Sequence, residues 1–184
     1  MTKRATKQAP QARPDGRGLR AAVVRARFNA EVVDGLASGA EAALTEMGVR
    51  HVVVVDVPGA FELPLAAKAA AASGRFDAIV ALGALIRGDT DHYEYIARTA
   101  AAGLQRAALD TGVPVAFGVL TVTKARQALA RSRPGPDNKG AEAARAAVAM
   151  ALTLRTLRRP RQPQRSRRST ERSQSRHAGR RGKP

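Results

Sequence analysis

Apolar residues fall into four short continuous runs, Leu19 to Val24, His51 to Val55, Ala78 to Leu82 and Val113 to Leu120, each followed by apolar residues at helical spacing. Continuous runs predict strands buried on both faces, and their regular alternation with helices predicts a parallel sheet. After the first run Val33, Leu36, Ala37, Ala40, Leu44 and Met47 share one helical face, with Gly48 placed to end the helix. After the second, Pro64 falls in the first turn of a helix that Ser73-Gly74 ends. The third run leads through Gly83 to Asp91 into a helix ending near Gly112. The fourth leads to a short helix around Lys124 to Arg131, a Pro/Gly loop, and a last helix from Lys139 to Leu157. The pattern is β-α four times with one added terminal helix. It predicts an α/β fold with three layers, α/β/α, around a four-stranded parallel sheet.

Outside this stretch the chain changes character. Met1 to Gly18 is Lys, Arg, Gln, Pro and Gly with almost no apolar residue, and Arg158 to Pro184 is alike with Ser added. Neither end can offset its ordering entropy by burial, so both are predicted to be disordered. The expected organisation is a basic tail over 1–18, one folded domain over 19–158 and a second basic tail over 159–184. The net charge of +17 sits almost wholly in the ends. Residues 1–20 carry six Lys/Arg against Asp15, and residues 155–184 carry twelve against Glu171, whereas residues 21–154 hold fourteen bases and thirteen acids. With no cysteine, disulfides and thiolate sites are excluded, and three histidines leave little room for a metal cluster. No apolar stretch reaches the roughly 18 residues that a membrane span needs, and residues 1–20 lack an apolar signal core. These features predict a soluble, cytoplasmic protein with no membrane partner.

Open parallel sheets bind ligands at the carboxyl ends of their strands, which directs attention to the segments just after each run. Gly83 to His92 is a strand end, a Gly-containing loop and a helix start. Its free N–H groups, close backbone approach at Gly88 and the Thr90 hydroxyl suit a phosphate. It reads equally as a turn that needs glycine and an N-cap that needs Thr or Asp. His92 is placed to carry protons at neutral pH, or is a surface histidine. In Pro58-Gly59-Ala60-Phe61-Glu62-Leu63-Pro64, Phe61 can face a planar ring and Glu62 can accept hydroxyl hydrogen bonds; the alternative is a tight turn, a core Phe and a first-turn Glu. The chain has only four Phe, and three of them, Phe28, Phe61 and Phe117, lie at strand ends, which favours stacking. Arg131 and Lys139 flank the Pro/Gly loop and could hold a phosphate; they also read as a helix-terminal Arg and a solvated Lys.

Taken together, Arg27-Phe28-Asn29, Val57 to Pro64, Ala81 to Gly88 with Thr90 and His92, Val113 to Thr121, Gln127-Ala128, and Asn138-Lys139-Gly140 with Glu142-Ala143-Ala144 resemble the lumazine synthase family in order and spacing. The resemblance runs from about Leu19 to Arg158 and implies a flavodoxin-like fold. It implies an enzyme of riboflavin biosynthesis, a transferase that condenses 5-amino-6-ribitylamino-pyrimidinedione with 3,4-dihydroxy-2-butanone 4-phosphate to 6,7-dimethyl-8-ribityllumazine, releasing phosphate and water, with no metal and no organic cofactor.

In that reading the pyrimidine stacks on Phe28, backbone groups of Ala60, Phe61, Leu85 and Ile86 read its edge, and Glu62 holds the ribityl chain. The phosphate lies on the Asp89 and Thr90 amides, and His92 moves protons. Phe117 and Arg131 arrive from a neighbouring subunit, with Lys139 nearby, which implies a homopentamer or a multiple of it. The loop Ser132 to Asp137 departs from the Ala-Gly usual after the phosphate-binding Arg. A reading of another class is a lumazine-synthase-like shell or scaffold whose basic tails bind nucleic acid. The tails have no aromatic stacking platform, and a solvated tail on an ordinary enzyme is favoured over it.

Overall fold

The computed structural model describes residues 14–158, so the disorder expected over 1–13 and 159–184 lies outside the described residues. Those described run β1 (Arg20–Ala26), α1 (Ala30–Glu46), β2 (His51–Val57), α2 (Leu63–Ala72), β3 (Ala78–Ile86), α3 (His92–Thr111), β4 (Val115–Val122), α4 (Ala125–Ser132) and α5 (Lys139–Arg158). The strands form one parallel sheet in the order β2-β1-β3-β4. Alternate residues of β1 and β3 enter two cores. Ala21, Val23, Val80 and Leu82 pack under α1 and α5. Ala22, Val24, Ile79 and Ala81 pack under α2 and α3. This is the expected three-layer α/β/α arrangement, and burial on both faces is why these strands read as unbroken apolar runs.

Cover is uneven across the sheet. The helices centre on β1 and β3, and the edge strand β2 keeps Val54 and Val55 39% and 37% exposed, although its sequence reads as buried on both sides. Strand limits also differ from the pattern. β3 runs four residues past Leu82, because β4 pairs with it as far as Ile86 opposite Val122, so Gly83 lies inside a ladder rather than ending it. β4 begins after Pro114, which has no N–H to donate but accepts the Ile79 amide at 2.8 Å.

The amino ends of the strands are closed by one carboxylate. Asp77 accepts the Arg20 amide at 2.8 Å, the Arg20 side chain at 3.4 Å and the Arg155 guanidinium at 3.3 Å. Arg155 also donates to the Gly18 carbonyl at 3.4 Å, and Arg158 to the Gly112 carbonyl at 2.7 Å, so the last turn of α5 is fastened across the start of β1 and the end of α3. Residues 14–18, placed in the tail by composition, are described too: the buried Gly16 donates its amide to Met47 at 2.7 Å. Partial burial pushes the Asp77 carboxyl up, but the bonds from the Arg20 amide and the two guanidiniums outweigh it and hold the group below its ordinary value of 3.8.

A carboxyl held low in the folded state stabilises above its ordinary pKa, and that contribution is lost as the pH falls through the lower folded value. Asp77→Asn is therefore expected to unfold at lower urea than the parent at pH 7, by the equivalent of about 1 kcal/mol. The gap should close as the pH falls below 3.8. Equal midpoints at pH 7 would remove Asp77 from the account of how α5 is held.

Candidate functional site

The carboxyl ends of β1, β2 and β3 open onto a cleft of about 740 Å³. It is lined by Phe28, Ala60, Phe61, Glu62, Leu85, Ile86, Thr90 and His92 among others, so eight of the residues singled out by sequence converge there. Asp89 is not among its lining residues; it lies exposed in the loop between two that are, Gly88 and Thr90.

Each wall has a local cause. The Arg27 amide donates to Val57 at 2.8 Å, which carries the β1–β2 ladder one residue past the strand and delivers Phe28 to the rim. The turn into α1 needs a left-handed residue, and Asn29 supplies it with φ 59° and ψ 46°. Its Nδ2 donates to the Ala84 carbonyl at 2.8 Å, fixing the Phe28 turn to β3 immediately before Leu85 and Ile86. Just below that turn Arg25 reaches Asp56 on β2 at 2.6 Å and Asp34 on α1 at 3.0 Å, and the Arg25 hydrogen bond holds the Asp56 carboxyl below its ordinary range. Glu62 is the N-cap of α2, and a Cβ at Gly59 would stand 3.2 Å from its Oε2, so the glycine leaves the carboxylate room. Phe28 and Phe61 are 70% and 59% exposed at the mouth, large apolar faces left open by the described residues.

The α3 end of the cleft is suited to an anion. Asp91 occupies the N-cap with no side-chain capping bond; the Glu94 amide is taken up by the Asp91 carbonyl at 2.9 Å, and the amides before it lie at the positive end of the helix dipole with no side-chain cap. His92 is the first residue of that helix and lines the cleft with Tyr93 and Ile96. Sequence reading passed over Tyr93 and Ile96. His92 and Ile96 stand four apart on one helical face, a spacing that could have flagged the second. Among the described residues no three His, Asp or Glu stand together as metal ligands would.

Phe117, Arg131 and Lys139 are elsewhere. They line a second depression of about 380 Å³ on edge strand β4, and it shares no residue with the first. Within one chain Arg131 turns back to the Gln127 carbonyl at 2.9 Å, as a helix-terminal Arg does, and Lys139 pairs with Glu142. Phe117 is 45% exposed.

The loop between these cations, residues 132–137, is held by Asn138, whose importance spacing could not reveal. Asn138 is buried, and its Nδ2 faces the carbonyls of Gly35 at 3.0 Å, Ser132 at 2.8 Å and Arg133 at 3.1 Å, while its Oδ1 accepts the Ala141 amide at 3.0 Å. The packing here is so close that a Cβ at Gly39 would lie 2.1 Å from the Asn138 side-chain Oδ1, and one at Gly140 1.9 Å from the Leu36 carbonyl oxygen. The α4–α5 loop is thereby clamped to α1.

The family model described as 6,7-dimethyl-8-ribityllumazine synthase matches residues 18–155. A curated protein of that name from Kineococcus radiotolerans is 52% identical over 139 residues, which cover 74% of this chain and 86% of that one.

Asn138→Asp is expected to destabilise the protein by about 3 kcal/mol, because it sets a buried carboxylate against three carbonyl oxygens and removes their donor. Urea unfolding at pH 7 measures this, and a loss under about 1 kcal/mol would mean that other contacts hold the loop.

Proposed function

The chain belongs to the 6,7-dimethyl-8-ribityllumazine synthase family, and from that premise we propose how its two depressions divide the work of the reaction. The enzyme is a transferase of riboflavin biosynthesis that joins 5-amino-6-ribitylamino-pyrimidinedione to 3,4-dihydroxy-2-butanone 4-phosphate, forming the lumazine and releasing phosphate and water. The observation that carries the assignment of roles is the convergence of an aromatic rim, a carboxylate and an uncapped helix end on one cleft.

The pyrimidine stacks on Phe28, its polar edge meets main-chain groups of Ala60, Phe61, Leu85 and Ile86, and Glu62 accepts the ribityl hydroxyls. The phosphate sits on the amides of Asp89 and Thr90, where the α3 dipole favours it. His92, in the first turn beside that phosphate, takes and returns protons as the amine condenses with the ketone, as phosphate leaves and as the second nitrogen closes the ring. Most of the acceleration comes from holding two reactants in register within one cleft. Both are polar metabolites that do not cross bilayers, which supports a cytoplasmic site of action; among the described residues no helix is long and apolar enough to span a membrane.

Phe117, Arg131 and Lys139 complete the site from a second copy of the chain. Their position around one depression beside β4, away from the cleft that lacks them, supports a site shared between neighbours. In the family's arrangement that assembly is a homopentamer or a multiple of one. On binding, Arg131 gives up its own helix carbonyl for the phosphate, a stronger acceptor.

Two measurements test this. His92→Ala is expected to lower the rate of lumazine formation by about 10²-fold over the spontaneous background while the protein still assembles. An unchanged rate would take the histidine out of the mechanism. Arg131→Ala should also be nearly inactive, yet co-expressing the two variants should restore about a quarter of parental activity, since that share of random junctions joins two intact halves. No recovery in assembled mixtures would place each site within one chain.

A further inference from the structure

At the end of the sheet where the cleft lies, β1 stays with β2 and β3 stays with β4. Pairing of β1 with β2 runs on to Ala26 opposite Val57, and the Arg27 amide adds a bond to the Val57 carbonyl at 2.8 Å. Pairing of β3 with β4 runs to Ile86 opposite Val122, and the Arg87 amide adds one to the Val122 carbonyl at 2.9 Å. Between β1 and β3 the register stops earlier, at Arg25 opposite Leu82. Each wall of the cleft is thus fastened on its outer side and released on its inner one. Phe28 extends from the first wall, and Leu85 and Ile86 from the second.

Asn29 crosses this opening. It lines the cleft, and its Nδ2 donates to the Ala84 carbonyl at 2.8 Å in a bond partly shielded from water. Among the described residues it is also the one non-glycine residue with a positive φ, 59°. Most L side chains are disfavoured there, and asparagine is among the few that tolerate it. Glycine would meet the backbone requirement without strain, but it has no amide to donate. The position therefore asks for a left-handed main chain and a side-chain donor together, and glycine and aspartate each answer only the first.

We propose that Asn29 is a positioning residue for the pyrimidine. Through the Ala84 carbonyl it sets the distance from the Phe28 ring, on which the heterocycle stacks, to the main-chain groups of Leu85 and Ile86 that read its edge. This rests on the placement of the pyrimidine proposed above. A ring held by both walls at once must order them relative to each other, and a bond that orders them beforehand removes that cost from binding. The effect is selective. The pyrimidine substrate and the lumazine product share the dione edge and the ribityl chain, so both depend on the bond. The butanone phosphate is held by amides at the α3 end of the cleft and does not.

The experiment measures kcat and the KM of each substrate, and binding of the lumazine product by equilibrium dialysis, in the full chain and in Asn29→Gly and Asn29→Asp. The glycine variant keeps the backbone conformation; the aspartate variant keeps the side-chain size and the tolerance for it. The donor is what both lose. In Asn29→Gly the KM for the pyrimidine and the Kd for the lumazine should each rise about 10-fold, and in Asn29→Asp by at least as much. The KM for the butanone phosphate and kcat should stay within about twofold, as loss of uniform binding of one substrate requires. A parental Kd in Asn29→Gly would overturn the proposal. So would equal rises in both KM values, the mark of a general loss of structure, or an effect confined to Asn29→Asp, which would assign it to the added charge. A parent chain that neither forms nor binds the lumazine would overturn the placement of the pyrimidine and this role with it, and the parent alone distinguishes that outcome from the others.

Discussion

The structure depends on burying a parallel sheet on both faces. β1 and β3 place alternate residues in opposite cores, so helices must cover both sides, and every connection must cross from the carboxyl end of one strand to the amino end of the next. Since β2 lies to one side of β1 and β3 to the other, the chain reverses direction between β1 and β3. The loops that leave them must part, and the crevice between is where Phe28 and the Leu85-Ile86 pair meet. The Asn29 side chain spans that gap to the Ala84 carbonyl, which ties the width of the cleft to one bond between the β1 turn and β3.

Much of this was legible because burial on both faces leaves a plain mark, an unbroken apolar run, and helices leave their spacing. The errors fall where the mark is ambiguous. Gly83 reads as a strand end but is an interior residue of β3, since ladder pairing with β4 needs no side chain there. Val54 and Val55 read as covered, yet local composition cannot say which strand lies at an edge. Phe28, Phe61, Glu62, Thr90 and His92 were findable because strand-end position is itself a sequence property. Their convergence needed only the rule that parallel strands end together.

Asn138 shows the other limit. Its role rests on carbonyls of Gly35 and Ser132, one of them more than a hundred residues distant, on the room that Gly39 leaves for its amide, and on the approach of Gly140 to the Leu36 main chain. Small residues spaced along α1 and at the start of α5 look unremarkable until the helices are laid together. The consequence reaches Arg131 on α4 and Lys139 on α5, whose common placement beside β4 follows from this clamp rather than from anything in the loop between them. A loop that departs in length or composition can therefore keep its flanking cations in place, provided the asparagine and the glycines around it persist.

A parallel sheet also has two unlike ends, and this chain uses them differently. At the carboxyl ends the main chain flares into loops that expose aromatic rings and helix amides to a ligand. At the amino ends Asp77 gathers the start of β1 and the end of α5 into one knot of paired charges. The two ends of the sheet thus carry separate tasks, a ligand cleft at one and the fastening of α5 at the other.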